Sequence, residues 1–487
     1  MSPPDPPWQP AIFSRAPSPF PAPSIRASTF CTRALSSPEA RVLRARIERQ
    51  RHLLSHLVAH HLNTNPSRIT VSGNEYWLHG SFNLCVPVLL DTTGEASLPQ
   101  YVIIRLPLPY RVGEATHPGN SDEKPRAEAA AYAWIGEKSP DVPITKLHAF
   151  GLSTKQRASI SEKSAIYVCG KPSVVAALAP VRPPLLLSTL GLEQPSQLGP
   201  HHSARLDALD IGYLLIQTID VETGTMLSAS WDERHTDARL QNLQRDIARV
   251  MLSLAKTPLP RIGTFCVNDG GSLRLDNRPI SVQLALQANE GIFGNKCRRR
   301  IFTNVKDFIL YHIDNFRNGL LQQPNGISSR SDAYTQMASL VGAAALFPQL
   351  FRRELDQGPF VFALTDLHKS NILVDDDWRI TAIIDLEFAC SWPIEFVQPP
   401  YWLGGEMLNE ITLECFSQKH EEFIRHVEQE ESIGTAGGRV TDDELRVDRK
   451  FTARLWRKDI DRIVEAKLQD YEDYNKDLDL LYAKDAI

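Results

Sequence analysis

Residues 360–389 read FVFALTDLHKSNILVDDDWRITAIIDLEFA. Three short β-rich runs, Phe360 to Leu364, Asn371 to Val374 and Ile380 to Ile384, are separated by polar residues. Asp366, Asn371 and Asp385 interrupt or end these runs where a purely structural sequence would place something apolar. Asp366 follows a buried strand and precedes Asn371 by five residues, the spacing of a catalytic-loop base and a metal-binding amide in phosphoryl-transfer enzymes. A turn over Asp375 to Trp378 folds the second run back on the third, which brings Asn371 and Asp385 together at the open end of a hairpin. γ-Phosphoryl transfer needs positioning and neutralisation of charge more than covalent participation by the protein. Hard oxygen ligands suit magnesium. The pattern therefore assigns Asp366 to the acceptor hydroxyl and its proton, and Asn371 and Asp385 to the metal. Singly, each residue would serve equally well as a turn or strand cap; it is their joint spacing within this alternation that points to chemistry.

Outward from this island the patterning is helical. Beyond Trp402 helices return, ending in a charged tail over 431–487 with the look of a solvated helix face. On the N-terminal side, Ala333 to Leu355 reads as a helix. Leu240, Leu243, Ile247, Val250, Met251 and Leu254 recur at three- and four-residue steps, as do Val305, Phe308, Ile309, Ile313 and Phe316. Asn268 to Gly271 marks a hairpin between two strand-like runs. Tyr213 to Ile219 reads as a buried strand, and the polar segment Asp220 to Thr225 after it as a hinge. Earlier come strands near Tyr76 to Leu78, Leu84 to Leu90 and Tyr101 to Leu106, then an alanine-rich helix over Ala127 to Ile135. The expected organisation is a proline-rich disordered leader (1–37), a lead-in helix (38–70), a β-rich N-lobe (71–219) carrying a poorly patterned insertion (about 153–208), a helical C-lobe (220–430) and the tail.

The chain has 487 residues, 42% of them hydrophobic and 23% charged, enough for one large bilobal α+β domain. Its 53 basic and 58 acidic side chains give a formal charge of −5 without a long single-sign block, so neither nucleic acid nor an anionic membrane is an expected partner. Seven scattered cysteines with no CxxC spacing argue against a disulfide framework and a structural zinc, and fit a reducing, cytoplasmic compartment. His201 and His202 have no Cys or carboxylate at ligand spacing, so no metal site is expected there. No apolar run approaches the roughly 20 residues of a membrane span. The basic, acid-poor leader admits mitochondrial import, although its prolines oppose the amphipathic helix that import uses.

With these residues in view, the chain resembles the aminoglycoside phosphotransferase and choline kinase branch of the protein-kinase-like superfamily, in particular its fungal members of unassigned substrate. That branch places His-Gly before the catalytic Asp; here those positions are Leu364 and Thr365, while Asp366, His368 and Asn371 keep the register. Its second metal motif matches Ile384, Asp385, Leu386 and Glu387, with Pro393 following. The resemblance implies a bilobal kinase-like fold, magnesium, and ATP or GTP as donor to a hydroxyl of a small molecule. It implies a nucleotide loop at Gly80 to Asn83, with Ser81 and Asn83 in contact with the nucleotide. Arg105 stands where kinases carry a phosphate-binding Lys, and Glu128 is its partner on a helix. Gln217 to Ile219 would offer backbone groups to the base, and Glu395, Tyr401 and Trp402 would line the acceptor pocket. A protein kinase would show a three-glycine loop, HRD, DFG and APE, which this chain lacks. The alternative is a pseudokinase serving as a nucleotide-binding or scaffold module, motivated by Leu364-Thr365 and by Arg at position 105.

Overall fold

The computed structural model describes residues 38–95, 97–160, 196–201, 203, 206–218, 224–232, 235–292, 297–322, 329–404 and 413–436. The leader, Ile219 with most of the polar segment after it, His202, most of the insertion and the tail past 436 lie outside these residues. Two compact units divide the chain, Met1–Ile301 with Phe360–Trp392, and Phe302–Pro359 with Pro393–Ile487. The boundary differs from the expected one at 219/220: strands of the N-lobe and the island at 360–392 share one unit.

In the first unit the lead-in segment forms two helices, α1 (Pro38–Arg49) and α2 (Arg51–Leu62), because Gln50 between them leaves helical geometry (φ −93, ψ 9). Eight strands follow: β1 (Ile69–Val71), β2 (Leu78–His79), β3 (Asn83–Leu90), β4 (Tyr101–Pro107), β5 (Leu147–Gly151), β6 (Arg157–Ile160), β7 (Leu198–His201) and β8 (Tyr213–Gln217). They make one antiparallel sheet in the order β1-β3-β4-β8-β5-β6-β7, with β2 on β3. Two of these strands, β6 and β7, fall in the stretch expected to be an unpatterned insertion. Their sequences, RASI and LGPH, carry too few apolar residues to announce a strand, and pairing with β5 supplies what composition does not.

Side-chain alternation along β3 and β4 decides what faces what. Leu84, Val86, Val88 and Leu90 of β3, with Val102, Ile104 and Leu106 of β4, enter one core with Leu43, Ile47, Leu54, Leu57 and Val58 of α1 and α2. Asn83 and Arg105 fall on the alternate positions and point to the other face. Helix α3 (Asn120–Lys138), packed on β4, β5 and β8, meets them there. It begins seven residues before the expected alanine run, since the polar turn Asn120–Arg126 is held by partners rather than by apolar periodicity. Glu114 accepts hydrogen bonds from the backbone N–H groups of Gly119 and Ser121, both at 2.6 Å, at the helix N-terminus. Asp122 accepts from Ser153 and Glu123 from Arg278.

The same unit continues through β9 (Thr225–Met226), α4 (Leu227–Ser230), α5 (Asp237–Ala255), β10 (Thr264–Val267), β11 (Leu273–Asn277) and α6 (Val282–Asn289). The expected hairpin is present as the antiparallel pair β10 and β11. The island supplies β12 (Phe360–Leu364), β13 (Ile372–Val374), β14 (Ile380–Ile383) and β15 (Ala389–Pro393). Trp134 of α3 stacks on Phe362 of β12 with centroids 4.3 Å apart, so the island is seated against the helix that carries Glu128. In the second unit, α7 (Val305–Gln322) and α9 (Leu413–Ala436) are helical as expected, while α8 runs over Arg330–Leu350 and stops before the expected end at Leu355, because Phe351 is extended. Phe396 of this unit stacks on Phe351 and meets Phe308 edge-on.

Candidate functional site

The island builds its half of the site by short-range bonding. β13 and β14 pair antiparallel, with Ile372 opposite Ile383. Asp375 accepts from the N–H groups of Asp377 and Arg379, each at 2.9 Å, which shapes the turn between them. At the open end Ile384 N–H donates to the Asn371 carbonyl at 3.0 Å, placing Asn371 beside the backbone that leads into Asp385. Asp385 itself adopts φ 63, in the left-handed region, which turns the chain so that Glu387 is directed inward, only 1% exposed.

Asp366 lies on the loop after β12. Asn371 Nδ2 donates to the Asp366 carbonyl at 2.9 Å and reaches its Oδ2 at 3.4 Å. His368 caps the turn Lys369–Asn371, accepting from Ser370 N–H, and its own N–H donates to the Asp366 carbonyl. That is a structural duty. Thr365 donates from Oγ1 to the Phe388 carbonyl at 2.7 Å, so a hydroxyl bond fastens the start of the loop to the segment following Glu387. Burial, then the negative charges of Asp385 and Glu387, push the Asp366 carboxyl up to about 6. Asp366 and Asp385 line one open recess with Leu364, Thr365 and Phe388.

The sheet and α3 supply the other half. Arg105 Nη1 is 2.7 Å from Glu128 Oε1, and its Nη2 reaches Asp385 Oδ1 at 2.5 Å and Glu387 Oε2 at 3.1 Å. The sequence expectation that Arg105 pairs with a helical Glu128 agrees with this geometry. Lys124, one turn before Glu128, places its ammonium 2.7 Å from Glu387 Oε2 and 4.5 Å from the centroid of the Phe82 ring. Asn83 Nδ2 donates to the same Glu387 oxygen at 2.7 Å. Glu387 is thus the meeting point of three donors. Sequence reasoning left Lys124 out altogether: it sits in a polar run, NSDEKPR, whose burial nothing in the composition betrays. The one available signal was its four-residue spacing from Glu128.

Other expected site residues are placed less simply. Ser81 is exposed at the tip of the β2–β3 turn, and Asn83 is committed to Glu387 rather than presented to solvent. Gln217 ends β8, a strand paired on both sides, and its N–H donates to the Lys146 carbonyl at 2.8 Å. That N–H is therefore spent inside the sheet and is not offered to a base, which corrects one part of the hinge expectation; Ile219 lies outside the described residues. In the second unit Glu395 is paired with Arg352 at 3.0 Å and Trp402 is buried, while Tyr401 is exposed.

Residues 310–396 match the family model described as "Phosphotransferase enzyme family". The matched segment contains Asp366, Asn371 and Asp385. Among solved structures, the chain is similar to a "putative aminoglycoside phosphotransferase" from Ralstonia eutropha JMP134 at 11% identity, over 77% of this chain and 79% of that one, with a TM-score of 0.36. It is similar to a macrolide 2'-phosphotransferase type I at 12% identity, over 82% and 86% of the two chains, with a TM-score of 0.30. None of the curated proteins matches the chain. Among the described residues no helix is long and apolar enough to cross a membrane, and Cys85, Cys266 and Cys390 are free thiols.

Proposed function

We propose that this protein is a kinase that transfers the γ-phosphoryl group of a magnesium-bound nucleotide, ATP or GTP, to a hydroxyl of a small molecule. The observation that carries this reading is that Asp366 and Asp385 line one recess, with Asn371 hydrogen-bonded to Asp366 and a buried Arg105–Glu128 pair beside them. Asp366 is the base: raised to about 6, it stays ionised at neutral pH yet is more basic than an ordinary carboxylate. The Asn371 amide nitrogen is bound to Asp366, which leaves its oxygen as a donor to a cation. Arg105 presents a charge that does not titrate to the phosphates, with Glu128 fixing its side chain.

The residues present fit magnesium on two counts. Asn371 and Asp385 offer hard oxygens. Around them, among the described residues, the carboxyl groups of Glu128, Asp366, Asp385 and Glu387 share two cations, Arg105 and Lys124, a shortfall of positive charge seen in the burial-driven rise of Glu128 to about 8, and one that a divalent ion would balance. When bound, the ion would be held by Asn371 and Asp385 and would neutralise phosphate charge. The hydroxyl acceptor follows from the base, since Asp366 has no use for an acceptor that carries no removable proton.

The test is the melting temperature with ATP or GTP, each with and without magnesium, in wild type and Asp385→Ala, followed by product analysis with hydroxyl acceptors. A magnesium-dependent rise that the variant loses, with phosphorylated product, supports the kinase. A rise without product against any acceptor supports the nucleotide-binding module. No rise in any condition removes the nucleotide site.

A further inference from the structure

Away from the recess, three histidines meet that lie far apart in sequence. His60 and His61 end helix α2, and His201 ends strand β7, the last strand of the sheet. His60 Nε2 is 3.1 Å from His201 Nδ1, and one ring nitrogen from each of the three lies within 4.8 Å of the others. Ring centroids are 5.3 Å apart for His60–His61, 4.7 Å for His60–His201 and 4.9 Å for His61–His201, all roughly edge-on. Three imidazoles about one tetrahedral zinc, with Zn–N near 2.0–2.1 Å, put neighbouring nitrogens about 3.3 Å apart and neighbouring centroids about 5.2 Å apart. The cluster therefore already has the spacing of a ligand set.

Partners for the second nitrogens are also in place. Ser159 Oγ is 3.0 Å from His201 Nε2, and Tyr213 OH is 2.7 Å from His61 Nε2. In a metal-bound arrangement these hydroxyls take the outer N–H of each ring, the usual means by which a ligating histidine is oriented. His61 Nδ1, 2.8 Å from Ser159 Oγ, then turns to the ion beside His60 Nε2 and His201 Nδ1. Two ring nitrogens 3.1 Å apart cannot both carry a proton, so at least one lone pair already points into the cluster. His60 is exposed, which gives an ion a route in and leaves a position for water.

We propose that His60, His61 and His201 bind one divalent transition-metal ion, zinc being the best fit to an all-imidazole set, and that the ion staples α2 to the edge of the sheet. This overturns the expectation that His201 has no ligand partners, because the partners come from a helix 140 residues upstream. The site is independent of the phosphotransferase reading. The test is titration of the full-length, metal-stripped chain with cobalt(II), read by visible absorption, then displacement by zinc, in wild type, His60→Ala, His201→Ala and, as a control, His52→Ala, an exposed histidine of α2 outside the cluster. The expected result is one four-coordinate cobalt per chain with its intense spectrum, an affinity about tenfold or more weaker in each variant of the cluster, and no change in His52→Ala. His60 is exposed, so its variant keeps the comparison decisive if His201→Ala fails to fold. Absence of a saturable four-coordinate spectrum in wild type, equal affinity in His60→Ala, or an equal loss in His52→Ala would each overturn the proposal and leave a hydrogen-bonded histidine cluster only.

Discussion

Asp366, Asn371 and Asp385 fall within a run of twenty residues, whereas the groups that meet them come from the far end of the chain: 280 positions separate Arg105 from Asp385, and 304 separate Asn83 from Glu387. The first half of the site is assembled by a loop and a hairpin whose bonds are local. The second half exists only because strand alternation turns Asn83 and Arg105 away from the α1–α2 core, and because a helical step of four sets Lys124 beside Glu128. A local motif can be read as spacing. A long-range one is a property of the packed sheet, and its members look ordinary until the sheet is built.

That division can be broken most sharply at Asp366. Asp366→Asn should lower kcat by about 10²- to 10⁴-fold and leave nucleotide affinity unchanged, if the island half alone carries proton transfer. Turnover equal to wild type would strip Asp366 of that role. Next in size is Lys124→Met, which deprives Glu387 of one of its two cations. Removing one partner of a buried pair typically costs about 3–5 kcal/mol, toward the lower end here because Arg105 and Asn83 remain. A denaturant midpoint that does not move would mean that the two halves are not joined electrostatically through Glu387.

Acid should separate the halves as well. Asp366 must be ionised to accept a proton and sits near 6, so kcat/KM should fall about tenfold per pH unit below about 6 and be flat above it. An acid limb near 4, where an unperturbed carboxylate titrates, would show that burial and the neighbouring Asp385 and Glu387 charges do not act on Asp366. The smallest effect is expected at Thr365. Thr365→Val removes the bond to the Phe388 carbonyl and should cost about 1 kcal/mol of stability, with a modest loss in kcat as the Asp366 loop loosens. A variant indistinguishable from wild type in both would leave the loop held by His368 and Asn371 alone.

The elements of the island and the amphipathic helices α5 and α7 were legible because their apolar residues repeat at the period of the structure they form. Residues 120–126 were not, since Asp122 and Glu123 in that turn are buried against specific partners, Ser153 and Arg278, and periodicity carries no record of partners. Strands β6 and β7 escaped for a related reason: they are strands by virtue of their neighbours. Arg105 and Glu128 were found by resemblance to a kinase pattern. Lys124 belongs to no such pattern, and the three histidines share no stretch of sequence at all.

Asp385 holds its carboxylate in position with a backbone that few residues accept. At φ 63 an L-residue carries a steric penalty that glycine does not, and Asp tolerates the conformation better than most. Glycine at 385 would relieve that penalty, by about 1 kcal/mol, at the cost of the contact between the Asp385 carboxylate and the buried Arg105 guanidinium, which would keep Glu128 and Glu387 as partners. The same exchange erases the carboxylate that the proposed function gives to the metal. Position 385 is therefore a fork in sequence space: a GAY codon is one base change from glycine, and that single step would exchange a strained carboxylate for a relaxed backbone and, on the proposed function, leave a silent scaffold.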